Sequence, residues 1–208
     1  MSSTQSLSRE KIAAAAIAIA DAEGFASVSM RRIAQDLGVG TMSLYYYVKT
    51  KADLTGAMDD AIMAEVLVPA LPGNWRAALV EIATRTRDAL MRHAWALYSM
   101  LSVPPGVHAM RHFEQCLEAL AETTLTNQQK FTLLATVDDF VFGYALREAA
   151  TDKKIDIDFA KSQLATGQYP RLAEVFGEGR APSSSDRFQV GLGLILDMVA
   201  ENGASRLG

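Results

Sequence analysis

The 208-residue chain has a single cysteine, Cys116, so no disulfide framework can form within it, and this usage suits a reducing, cytosolic setting. It has no run of about 18 apolar residues that could span a bilayer. Its first residues, MSSTQSLSREK, are polar and are not followed by the apolar stretch of a secretion signal. A soluble, cytoplasmic protein with no membrane partner is the expectation. Convincing strand patterns are missing. So is a catalytic constellation: Asp138 and Asp139 are adjacent and diverge on a helix, so they form no acid pair. Gly191 and Gly193 follow no strand–turn–helix pattern, so no dinucleotide fingerprint is present. The reading is therefore of a non-enzyme without a cofactor.

What is present is apolar and helical. Half of the residues are hydrophobic, enough for a substantial core. The net charge of −4 hides an asymmetry. Residues 1–51 carry six basic side chains against four acidic ones, so a mildly basic head precedes an acidic body. That split suits a protein that touches phosphate at one end only.

The head reads as a series of short, well-punctuated helices. Ser8 caps a first helix with Ile12, Ala16 and Ile19 on its buried stripe, ending near Gly24. Phe25 and Val28 close the small core from the connection. Ser29 caps a second helix, whose Met30, Ile33, Ala34 and Leu37 follow the i, i+3, i+4, i+7 spacing of one buried face. Gly38 is placed to take a positive φ. Thr41 is read as the cap of a third helix, MSLYYYV, with Leu44 and Val48 on the core side. Met42, Tyr45 and Tyr46 fall on the other side, where they are costly apolar surface unless a partner covers them. Thr50 and Asp53 form a capping-box-like pair for a fourth helix, roughly Lys51 to Val68. Helix, tight glycine turn, helix is the layout of a helix-turn-helix, whose second helix enters the major groove. Thymine methyls and phosphates would then cover the exposed Met and Tyr. The plainer alternative is a YYY run that only packs a short helix.

The stretch SMRRIAQDLGVGTMSLYYYVKTKADL resembles the DNA-binding head of the tetracycline-repressor (TetR) family. The likeness is carried by Ala34, Leu37-Gly38-Val39, Leu44, Tyr45, Val48, Lys51 and Leu54, without a gap, over roughly residues 8–60. It implies that Arg31 reaches a base or phosphate and that Thr41, Met42 and Ser43 face base edges. It implies phosphate and sugar contacts for Tyr45 and Tyr47, thymine methyls for Tyr46, and phosphate for Lys51 and Ser29. Gly40-Thr41-Met42 depart from the tetracycline repressor itself, so its operator sequence does not transfer. The implied protein is a homodimeric, ligand-responsive regulator, a repressor released from palindromic operator DNA by a small hydrophobic molecule. A flat, multi-ring or polyketide-like effector is favoured by the likeness. The alternative is a helical small-molecule carrier or enzyme with a degenerate head.

The expected fold is all-α with about nine or ten helices. Residues 1–52 form the three-helix head and 53–208 the effector-binding and dimerisation body. Helices are read at Trp75 to His93, in a short segment from Ala94, at His108 to Thr123 and at Asn127 to Ala150. A last helix covers 186–202, after a polar stretch with Gly177, Gly179 and the APSSSD run. The helix near 127–150 has two apolar stripes, Leu133, Val137, Phe140 and Tyr144, then Phe131, Leu134, Val141 and Ala145. The last helix carries Phe188, Leu192, Ile195 and Val199, with Val190, Leu194 and Met198 nearby. Helices apolar on two sides are expected to cover both their own core and a partner's, here the second protomer's.

Effector candidates in the body are His93, Trp95, Met100, Phe113, Phe140 and Tyr144, with His112 or Arg147 as polar anchors. Each could equally be plain core. His108, His112 and Cys116 follow i, i+4, i+8, a spacing able to hold zinc or copper, but a fourth ligand is not evident nearby. No metal is expected.

Overall fold

The structure is a computed structural model that describes residues 6–150, 157–177 and 184–204. Among the described residues there are eleven α-helices, one short 3-10 turn and no strand. No helix among them is long and apolar enough to cross a membrane.

Helix α1 (Arg9–Glu23) starts because the Ser8 hydroxyl accepts from the Lys11 amide, and it stops at Gly24, φ 86°. The 3-10 turn Phe25–Ser27 leads to α2 (Met30–Leu37), capped by Ser29 through the Arg32 amide. Gly38 at φ 65°, ψ 32° is left-handed. The Gly38 and Val39 amides return to the carbonyls of Gln35 and Ala34 at 3.3 and 3.0 Å, a Schellman closure that only a residue without a Cβ makes cheaply. Helix α3 (Thr41–Tyr45) follows. Its cap is Gly40, not Thr41, which lies inside the first turn, and the helix ends two residues before Tyr47. Helix α4 (Lys51–Val66) is capped by Thr50, which accepts from the Asp53 amide. The Asp53 carboxylate returns to the Lys49 amide rather than to Thr50, so the reciprocal bond reaches one residue further back than a capping box.

The body follows with α5 (Trp75–Arg92), α6 (Ala96–Ser99), α7 (Val107–Ala119) and α8 (Asn127–Ala149). Helices α9 (Ile157–Ala165) and α10 (Pro170–Gly177) occupy the stretch read from sequence as polar connection. Helix α11 (Ser184–Ala204) already includes Ser184, Ser185 and Asp186 of the APSSSD run. The rest of that run and Gly179 lie outside the described residues, as do the side chains of Met198 and Val199.

Two cores result. Ile12, Ala16, Ile19, Ile33, Leu44 and Val48 build the head with Leu54 and Met58 of α4. Ile62 and Val66, further along the same helix, belong to the body core with Leu79, Leu90, Leu120, Val137 and Leu192. One continuous helix therefore carries side chains of both. The body is tied by directed contacts as well. The buried Gln115 amide donates to the Val68 carbonyl at 2.7 Å and accepts from its amide at 3.1 Å. Arg76 pairs with Asp197 at 2.8 Å and donates to the Gly193 carbonyl, fixing α5 to α11. Gly191 lets α11 approach α8, since a Cβ there would lie 2.8 Å from Phe140.

Candidate functional site

The outer face of the head is the first site. In α3, Leu44 is fully buried whereas Met42 is 80% exposed, and Tyr46, the residue that caps the helix, is 83% exposed. Ser43, Arg31 and Ser29 are exposed, Tyr45 is 43% exposed, and Thr41 is half-buried. Tyr47 packs partly onto the head core, edge-on to Tyr46 at 5.3 Å. Lys51, at the start of α4, is exposed, with its ammonium 5.8 Å above the Phe25 ring. Arg32, by contrast, is engaged by Glu23 at 2.7 Å and by Asp36 at 3.5 Å. Arg9 braces the turn after α3 by donating to the carbonyls of Tyr47 and Asp53. Lys49 is exposed beside this face and was not singled out from the sequence. A cation just beyond the third helix was the available signal.

The second site is a cavity of about 450 Å³ in the body, walled by α4, α5, α7, α8 and the loop at Pro104–Gly106. Of the residues expected to bind an effector, Met100, His112 and Phe113 line it. His93, Trp95, Phe140, Tyr144 and Arg147 are not among its lining residues. His93 and Trp95 instead form the junction of head and body. The Nδ1 of buried His93 donates to Asp21 at 2.9 Å, and the indole N–H of Trp95 donates to the same carboxylate at 2.8 Å. Trp95 stacks on Phe25 at 5.3 Å, and His93 Nε2 faces Glu65 at 3.6 Å. Phe140 and Tyr144 belong to an aromatic cluster with Phe188, over which Arg87 lies at 4.5 Å.

The cavity wall is mostly apolar, with Asp59, Asp60, Thr86, His112, Cys116 and Asp138 as its polar members. Burial raises the Asp59 carboxyl to about 6, although the Ser99 hydroxyl, donating at 2.6 Å, opposes the shift. Burial, with Asp139 alongside, also raises Asp138. Burial and the nearby Asp138 push the Cys116 thiol up to about 12, so it stays protonated and is a poor nucleophile. Burial lowers His112, which favours its neutral imidazole. His112 Nε2 lies 3.9 Å from Cys116 Sγ, whereas His108 turns to Asp60 at 2.9 Å. The three residues spaced i, i+4, i+8 therefore do not converge, and no metal-binding group of three His, Cys, Asp or Glu is found among the described residues. The acidic members of the wall were missed in the sequence. Their signal was ionisable residues, Asp59 and Asp138, within otherwise apolar helical faces.

A C-terminal domain of the tetracycline-repressor-like kind matches residues 68–202, and the bacterial regulatory proteins of the tetR family match residues 12–58. The HTH-type transcriptional repressor DrrR1 of Streptomyces coeruleorubidus is 35% identical, covering 97% of this chain and 80% of that protein. Apo ActR from Streptomyces coelicolor superposes with a TM-score of 0.81 at 25% identity, over 98% of this chain and 100% of that one. ActR in complex with actinorhodin matches with a TM-score of 0.77 at 27% identity, over 96% and 99%. The chain belongs to the TetR family of bacterial regulatory proteins, a family of DNA-binding transcriptional regulators.

Proposed function

We propose that the protein is a cytoplasmic, homodimeric repressor, without enzymatic activity, that leaves a palindromic operator when a small hydrophobic molecule fills the body cavity. The observation that carries this reading is the position of α4. Leu54 and Met58 belong to the head core, while Asp59, Ile62, Met63 and Val66 of the same helix line the cavity. A ligand that favours one tilt of α4 changes the placement of the recognition helix, and DNA favours the tilt that matches its groove. The coupling must be reciprocal, so operator weakens effector binding by the same factor.

On this reading the head, 1–52, places Thr41, Met42 and Ser43 at base edges, with Tyr46 at thymine methyls. Arg31 reaches a base or phosphate, and Ser29, Tyr45, Tyr47 and Lys51 hold phosphate and sugar. The body, 53–208, dimerises through α8 and α11. Val190 and Leu194 on α11 and Leu146 on α8 are exposed apolar side chains that a second copy would cover. The ActR complex with actinorhodin supports a small-molecule role for the cavity.

Fluorescence anisotropy over a salt series, with DNA flanking the protein's own gene, tests the head. Lys51→Ala and Tyr46→Ala are each expected to weaken selective binding by about tenfold, and Lys51→Ala to lower the salt slope by about one. A carrier with a degenerate head would bind this DNA no better than random duplex, with neither substitution having an effect.

A further inference from the structure

The charge balance of the cavity narrows the class of effector, on the premise that the cavity is the effector site. Among the described residues that line it there are three aspartates and neither lysine nor arginine. Asp60 is already committed. Its Oδ2 takes the His108 ring at 2.9 Å and its Oδ1 takes the His108 amide at 2.8 Å, which holds the start of α7 beside Gly106. Asp59 is different: it is only 6% exposed, Ser99 serves one oxygen, and Oδ2 has no hydrogen-bond partner. Asp138 comes from α8 on another wall, next to Cys116. His112 brings no compensating charge, because burial favours its neutral form, and its Nδ1 is itself unpartnered.

A buried carboxylate without a counter-ion is expensive, and the rise of Asp59 above the ordinary carboxylate value reflects that cost, whereas Asp138 is exposed and adds negative charge from its own wall. An ammonium group removes it, since it supplies the missing charge and short, charge-assisted N–H donors together. A neutral hydroxyl supplies a donor only. A carboxylate ligand would add like charge to an already acidic wall.

We propose that the effector is a cation: a largely apolar, ring-bearing molecule with a protonated amine. Its ammonium is served by Asp59, with Asp138 adding negative charge from another wall, and its apolar body lies against Met63, Leu79, Phe113 and Phe142.

Three probes that share one flat ring system separate the possibilities: 1-pyrenemethylamine, 1-pyrenemethanol and 1-pyreneacetate. Titrated into the DNA-free protein at neutral pH, the amine is expected to bind about tenfold tighter than the alcohol and about a hundredfold tighter than the acetate. Asp59→Asn, checked for folding by circular dichroism, should bring the amine-to-alcohol ratio several-fold closer to one, and Asp138→Asn should do so to a smaller extent. Ala135→Phe, which fills part of the cavity, should weaken amine and alcohol alike. An alcohol that binds as tightly as the amine and is weakened by Ala135→Phe overturns the cationic proposal and leaves the cavity as the site. No binding of any probe, or binding indifferent to Ala135→Phe, overturns the cavity assignment as well.

Discussion

Replacing Asp21 by Ala is expected to loosen the head while leaving the body intact. Asp21 accepts from both His93 Nδ1 and the Trp95 indole, and together these contacts join α1 to the segment that follows α5. Without the carboxylate, a buried imidazole nitrogen and an indole N–H lose their acceptor, and His93 Nε2 has no hydrogen-bond partner to begin with. The loss of such partners costs about 2–3 kcal/mol. Amide exchange in α1, α2 and α3 should then accelerate by about 30- to 160-fold, whereas α5 and α8 keep their protection. Asp21→Asn keeps an oxygen for the indole and should give a smaller effect. Equal acceleration in all helices would mean that Asp21 contributes to general stability and not to the junction. No acceleration would mean that the junction rests on the Phe25–Trp95 stack alone.

The second large effect concerns Asp59. Its carboxyl rises from the ordinary 3.8 to about 6 on folding, chiefly through burial. Between about pH 4 and 6 the folded protein therefore holds more protons at this site than the unfolded chain. The associated stability is fully present below 3.8 and is lost as pH rises through about 6. The shift corresponds to an upper limit of about 3 kcal/mol. Asp59→Asn keeps the shape and the oxygen that Ser99 serves, but removes the ionisation. At neutral pH the variant should be more stable than the wild type by about 1–3 kcal/mol, with the difference vanishing near pH 4. Denaturant melts across this range measure both curves. A variant less stable at neutral pH, or a difference that does not depend on pH, would contradict the assignment. The expected gain also bears on function, because a carboxylate kept at a cost to stability in a cavity wall fits a role in ligand recognition.

The head was legible in the sequence because its signals are local. Ser8, Ser29 and Thr50 each cap a helix from within three residues, and Gly38 closes α2 within its own turn. The alternation of Leu44 and Val48 with Met42 and Tyr46 separates core from surface within a single short segment. Helices α9 and α10 were harder to see, because Gly177, Gly179 and the APSSSD run marked the whole stretch as a polar connection. Pro170 instead stands at the first position of a helix, where its fixed φ is suitable and its missing N–H costs nothing.

The cavity was the least legible part. It is assembled from side chains of four helices and a loop that are distant in sequence, and periodicity says which residues face inward but not which of them leave space. Aromatic and histidine content pointed to His93, Trp95, Phe140 and Tyr144, which the fold uses to join head to body and α8 to α11. Met100, His112 and Phe113 do reach the cavity, but the residues that set its charge, Asp59 and Asp138, are marked in the sequence only by apolar neighbours on the same helical face. Each is one of two adjacent acids on its helix, beside Asp60 or Asp139, and only packing shows what each of them meets.

On the proposed function, two heads presented by one dimer read DNA through the exposed face of α3. Selection of the full-length protein on random duplexes, sequenced after successive rounds, tests it most directly. The expected product is a near-palindrome whose half-sites are centred about one helical turn apart, roughly 10 base pairs. Enrichment of a single unrepeated half-site, or no enrichment at all, would contradict it.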